Sequence, residues 1–168
     1  SSNFTVEYFD GSSWSVINNN VPDSFRSIPW VVPSTVTSLA RVRVSRNVSG
    51  YTDESDIPFV VIGQPVLSQS VPCEGFVQLS WTAVTGAASY DVMQLQADTM
   101  AVIANVASPT LSYRVSGLNS STAYWFAVRA KTGTAYGRRS VAVTVTPASG
   151  TCSLSEYDNN FKAVSIMA

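Results

Sequence analysis

Two cysteines, Cys73 and Cys152, one dense acidic stretch, Asp53-Glu54-Ser55-Asp56, and four tryptophans are the side chains of this 168-residue chain with chemistry to offer. Histidine is absent from the sequence. Ser-His-Asp and Cys-His nucleophilic sites and the common zinc ligand sets each need an imidazole, so composition excludes those classes. The cysteines do not form a C-x-x-C pair, and the expected use in an extracellular chain is a Cys73 to Cys152 disulfide, with two buried thiols as the alternative. Closing so long a loop would remove unfolded-state entropy of roughly 4 kcal/mol. Calcium wants about six to eight oxygens, whereas residues 53–56 offer three carboxylates without an Asp-x-Asp-x-Asp-Gly framework, so a solvated turn is expected there. Nothing in the spacing of Glu7, Asp10, Asp91 or Asp98 sets two carboxylates across a glycoside-cleaving cleft. The expectation is a protein with no catalytic residue, no metal and no cofactor.

The elements that position these side chains follow from composition and period. Only 12% of residues are charged, against roughly a quarter in an ordinary soluble domain. Val (24), Ser (26) and Thr (14) make up about two fifths of the chain, a mixture that suits half-buried strands and penalises helices. A net charge of −1 leaves no basic footprint for nucleic acid. No apolar run reaches the roughly 18 residues of a membrane span, and Ser1-Ser2-Asn3-Phe4 lacks the positive start and apolar core of a signal peptide.

Strand and turn signals alternate throughout. Residues 4–9 and 14–18 alternate with period two around Asp10-Gly11, a hairpin signature. Residues 25–32 read as a strand carrying Pro29 and hence as an edge or a bulge. Residues 39–46 form the clearest strand, with one wet face, and 57–63 make an apolar strand before Gly63-Gln64-Pro65, where a boundary is expected. Beyond it, strands are expected at 66–68, 76–81, 89–95, 100–105, 111–115, 123–131 and 139–146, the seven of an immunoglobulin-like sandwich.

Residues 64–150 resemble a fibronectin type III module. The resemblance rests on Leu79-Ser-Trp81, Gly86 to Val92, Gly117-Leu118, Thr122 to Ala130 and Gly137 to Ser140, with Tyr124 where that family has its tyrosine corner. It implies a core built on Trp81, Tyr90, Leu118, Tyr124 and Phe126, with Tyr124, Phe126, Val128 and Ala130 as an inward row. Residues 1–63 resemble an Ig-like module of secreted bacterial proteins through Asp10, Gly11 and Trp14, Trp30 to Pro33, Ala40 to Val44, and Ser55 to Ile62. Only about five strands are visible there, as if the chain starts inside the module, and Trp14 and Trp30 read as core or junction residues. Residues 151–168 read as a linker or the start of a further module. The expected class is all-β, two tandem Ig-like and fibronectin type III β-sandwich modules.

If Tyr124 and Phe126 point inward, alternation sends Trp125 outward beside Ala127, Arg129 and Lys131, with Asp91, Met93 and Leu95 on the neighbouring strand. Met93, Leu95, Trp125 and Arg129 are therefore the candidate interaction face, since exposed apolar patches mark interfaces. What the resemblance implies is a non-catalytic accessory module, a spacer, docking or adhesion element of a long secreted or cell-surface bacterial protein such as a protease or an adhesin. Its partners are then neighbouring domains of the same parent chain, or a protein or polysaccharide ligand. The alternative is a carbohydrate-binding module with Trp125, Tyr113 and Tyr136 as candidate platforms.

Overall fold

Thr, Val and aromatic residues at period two pair as antiparallel ladders wherever Gly, Asn or Asp lets the chain reverse. The computed structural model describes residues 3–69, 72–73 and 75–148. It contains no helix among them, and the fold class is all-β. The tail from 151, with Cys152, lies outside the described residues.

The N-terminal half is built on β1 (Phe4–Phe9), β2 (Trp14–Val21), β3 (Thr37–Arg46), β4 (Thr52–Glu54) and β5 (Phe59–Val61). Their order is β2-β1-β3-β4, with β5 pairing the other end of β3 through Thr37 to Val61 and Ala40 to Phe59. The β1/β2 turn places Gly11 at φ +104°, where a side chain is strained. Asp10 Oδ1 accepts the Ser12 and Ser13 amides at 2.8 Å each, which lowers its pKa to about 2. Tyr8 is fully buried against Trp30 and Phe59, with ring centroids 4.8 and 6.4 Å away. Its hydroxyl finds no hydrogen-bond partner among the described residues, and burial followed by the Asp10 charge raises its pKa.

Two expectations are corrected here. Residues 25–32 form no strand; prolines at 22, 29 and 33 remove ladder donors, and the segment crosses the sheet as coil. Its Phe25 and Ile28 line a groove of about 420 Å³ with Phe4, Val6, Val21 and Val44. The fifth strand is instead β4, wholly exposed and without apolar alternation, held to β3 by pairing at Arg43 to Glu54 and Ser45 to Thr52.

The C-terminal half holds β6 (Leu67–Gln69), β7 (Phe76–Trp81), β8 (Ser89–Gln96), β9 (Thr99–Ala107), β10 (Ser112–Ser116), β11 (Tyr124–Thr132), β12 (Ala135–Arg139) and β13 (Val143–Val145). One sheet has the order β10-β7-β6, the other β12-β11-β8-β9, with β13 also on β11. Between them lie Val77, Leu79, Trp81, Tyr90, Val92, Leu118, Phe126, Val128 and Ala130, all buried. The strand expected at 139–146 begins earlier and is broken into β12 and β13. At the break, buried Ser140 donates its amide to Val128 O at 2.7 Å, while its hydroxyl accepts the Val128 amide at 3.0 Å. The hydroxyl thus substitutes for a ladder carbonyl and satisfies the Val128 amide.

The two halves touch at β12. A methyl group on Gly137 would collide with Ile62 Cγ2, and Gln64 Nε2 donates to the Arg139 carbonyl.

Candidate functional site

Period-two alternation along β11 turns Phe126, Val128 and Ala130 into the core and Trp125, Ala127, Arg129 and Lys131 to the opposite face. Register then fills that outer face, because directly paired residues share a side. On β8, Met93 lies opposite Ala127, Asp91 opposite Arg129 and Ser89 opposite Lys131. On β12, Tyr136 lies opposite Lys131 and Arg139 opposite Arg129. Beyond β8, Val102 pairs Met93 and Asn105 pairs Asp91.

The centre of this face is an ion cluster. Arg129 reaches Asp91 Oδ2 through Nε and Nη2, both at 2.9 Å, Asn105 donates to Oδ1 at 2.9 Å, and Lys131 Nζ sits 3.6 Å from Oδ1. The Asp91 side chain is 5% exposed, those of Arg129 and Lys131 19% and 24%. Arg129 also lies over the Tyr136 ring, 3.6 Å from its centroid, a cation–π contact. Asp91 is thereby committed to three donors and is poorly placed to accept a substrate proton.

Of the four residues expected on the interaction face, Trp125 is 41% exposed, while Leu95 and Arg129 are half-buried. Met93 is a correction: it is only 6% exposed, because its central strand is flanked by Ala127 and Val102 on both sides. It forms a floor, not a contact point. Tyr113 is a second correction, since it is half-buried and packs against the sandwich core. Tyr136, at 54%, is the other open ring on the face. In the core set, Trp81, Tyr90, Leu118 and Phe126 are buried, and half-buried Tyr124 stacks near Phe126 and accepts the Asn119 amide through its hydroxyl at 2.9 Å.

The ion cluster is what composition and motif reading missed; the signal was a lone acidic residue at an outward position of a strand facing the one that carries Arg129. Cys73 is buried beside Phe76, and its expected partner Cys152 lies outside the described residues. The acidic stretch disperses: Glu54 pairs Arg41 at 3.0 Å and the Ser55 hydroxyl accepts the Val42 amide at 3.3 Å. Among the described residues no three His, Cys, Asp or Glu side chains gather as a metal site. On the N-terminal sheet Trp14 is half-buried, with Arg43 stacked 4.1 Å above it and bound to Glu7 at 2.9 Å. The Glu7 bond keeps the Arg43 pKa above its ordinary value.

No protein-family model matches the sequence, and a search of curated proteins found no match. Among solved structures the chain is similar to FN3tt, at 25% identity over 53% of this chain and 98% of that one, with a TM-score of 0.46. It is similar to the FN1–FN3 domains of chicken CNTN1 at 18% identity, covering 88% of this chain and 56% of that one (TM-score 0.47). Pectate lyase PelI from Erwinia chrysanthemi matches at 24% identity over 51% of this chain and 28% of its own (TM-score 0.44). The deciding observation is the chain's own strand order, a three-stranded sheet against a five-stranded one in which β12 and β13 both pair β11, with a tyrosine corner between β10 and β11. Strands β6 to β13 form a fibronectin type III-like module. The outer face of its larger sheet offers ring faces and cations for stacking and anion contact, and no helix among the described residues is long and apolar enough to cross a membrane.

Proposed function

We propose that this chain is a non-catalytic extracellular accessory segment, with modules over residues 1–63 and 64–150 that space, orient or dock neighbouring domains of a longer secreted bacterial protein, such as a protease or an adhesin. One observation carries the reading. The type III-like module completes its core without Trp125, and leaves that ring 41% exposed on a sheet face whose one carboxylate among the described residues, Asp91, is tied up in ion pairs. Such a face supports contact and not turnover. Within this reading, a disulfide from Cys73 to Cys152 staples the end of the module.

A second reading, a carbohydrate-binding module, is favoured by Trp125 and Tyr136 sharing that face as exposed rings. Depletion of the purified chain from solution by insoluble polysaccharides and cell-wall material, with Trp125→Ala alongside, separates the two. Retention that disappears in the variant supports the binding module. Recovery of both proteins in the supernatant rejects it and leaves the spacer.

A further inference from the structure

Arg129 and Arg139 stand directly opposite each other on β11 and β12, on the same sheet face. Like charges so placed destabilise a ladder, and natural sheets avoid them unless something offsets the repulsion. Asp91 offsets part of it by holding Arg129, and Lys131 as well. Exposed Arg139 has no ion-pair partner among the described residues. Among the described residues, three cations and one carboxylate thus share the outer face. The described carboxylate next along the chain, Asp98, lies at the β8/β9 turn. This cation excess sits in a chain of net charge −1, so it is local and not a by-product of a basic protein.

Tyr136 lies under Arg129, beside this excess, and Trp125 lies four residues along β11, about 13 Å away at strand rise. Flat rings at both ends of a cationic strip fit a linear ligand that alternates ring faces with negative charge. We infer that the outer face of the β12-β11-β8-β9 sheet binds a carboxylated polysaccharide, with Trp125 and Tyr136 stacking on sugar rings and Arg139, helped by Arg129 and Lys131, taking the carboxylates. The inference rests on the carbohydrate-binding reading above and names its ligand class. A bound uronate would supply the anion that the Arg129 and Arg139 pair lacks, so binding relieves a cost already present in the free protein.

The test uses polygalacturonate and its fully methyl-esterified form, which keeps the backbone and removes the charge, as immobilised phases for the intact chain. Wild type is expected to be retained on the acid form and released by salt, with retention on the ester weaker by tenfold or more. Arg139→Ala, an exposed change, is expected to lower affinity for the acid form about tenfold, the effect of losing one charge-assisted contact. Thermal unfolding at or above the wild-type temperature, as expected once the like-charge pair is removed, excludes misfolding as the cause. Trp125→Ala is expected to weaken both forms. Equal retention on acid and ester, or an Arg139→Ala variant as tight as wild type, overturns the charge assignment while leaving carbohydrate binding in place. Passage of wild type through both phases overturns the inference, and retention on neutral insoluble polysaccharides then decides whether the carbohydrate-binding reading falls with it.

Discussion

Replacing Asp91 with alanine removes the single carboxylate that holds Arg129 and Lys131 on the outer sheet face. Breaking a buried pair from one side costs about 3–5 kcal/mol, because an uncompensated charge stays behind. Here the stranded cations keep 19% and 24% of their side-chain exposure. Arg129 also retains Tyr136, a contact of about 0.5–1 kcal/mol at a partly exposed site. The expected loss therefore falls at or just below the lower bound of that range, about 2–3 kcal/mol. For a module of this size that is a drop in melting temperature of about 10–20 °C. Urea unfolding of Asp91→Ala, Arg129→Ala and the double variant measures it. The double variant leaves only Lys131 unpaired, so its cost should fall short of the summed singles by about 1–2 kcal/mol. A loss under about 0.5 kcal/mol for Asp91→Ala, or strictly additive effects, would mean that the carboxylate is hydrated and the cluster contributes nothing to the fold.

Trp81→Ala should cost about 3–5 kcal/mol, since the ring is buried against Tyr90 with centroids 5.6 Å apart; near-neutral unfolding data would remove it from the core. Tyr8→Phe should leave stability unchanged or raise it by up to about 1 kcal/mol, because the buried hydroxyl lacks a partner among the described residues; a loss of that size would show that it is bonded. The Asp10 carboxyl should titrate near pH 2 by carbon NMR. Its pKa is depressed from 3.8, so the turn's contribution is complete above the unfolded value and is lost as pH falls from 3.8 toward 2. A midpoint at 3.8 would break that link. Alkylation in denaturant without reductant should leave both cysteines unmodified, and reduction should lower stability by about 4 kcal/mol; two labelled thiols in the unreduced chain would refute the bridge.

Legibility in the sequence followed burial. The inward row of β11 and the alternation of β7 were readable because a one-residue slip would turn an entire apolar set outward. The Asp10-Gly11 turn was readable because its backbone needs those residue types. Segment 25–32 misled because its apolar residues serve as a coil cover over the sheet, which has no period to detect. Strand β4 was invisible because its three residues are all exposed and carry no apolar alternation; it is held to β3 by backbone pairing and the Arg41 to Glu54 ion pair. Met93 was placed on the correct face by period, yet its burial depends on standing between two strands, a property of sheet order. The Ser140 break lacked any sequence signal, since serine is at home in a strand or a bulge alike.

The candidate site divides along the same line. Asp91, Arg129, Lys131 and Asn105 satisfy one another, and stability is sufficient reason for their presence. Trp125, Tyr136 and Arg139 are different: each is exposed on the same face, and none belongs to the core cluster. Arg139 moreover sets a like charge directly across the ladder from Arg129, which a sequence selected for stability alone would replace with an acidic or small residue. Residues that break a local rule without a structural return are where function is to be sought. The three lie in one strip beside a cluster that holds Arg129 over Tyr136, so in the proposed binding surface the structural ion pairs serve as rigid backing.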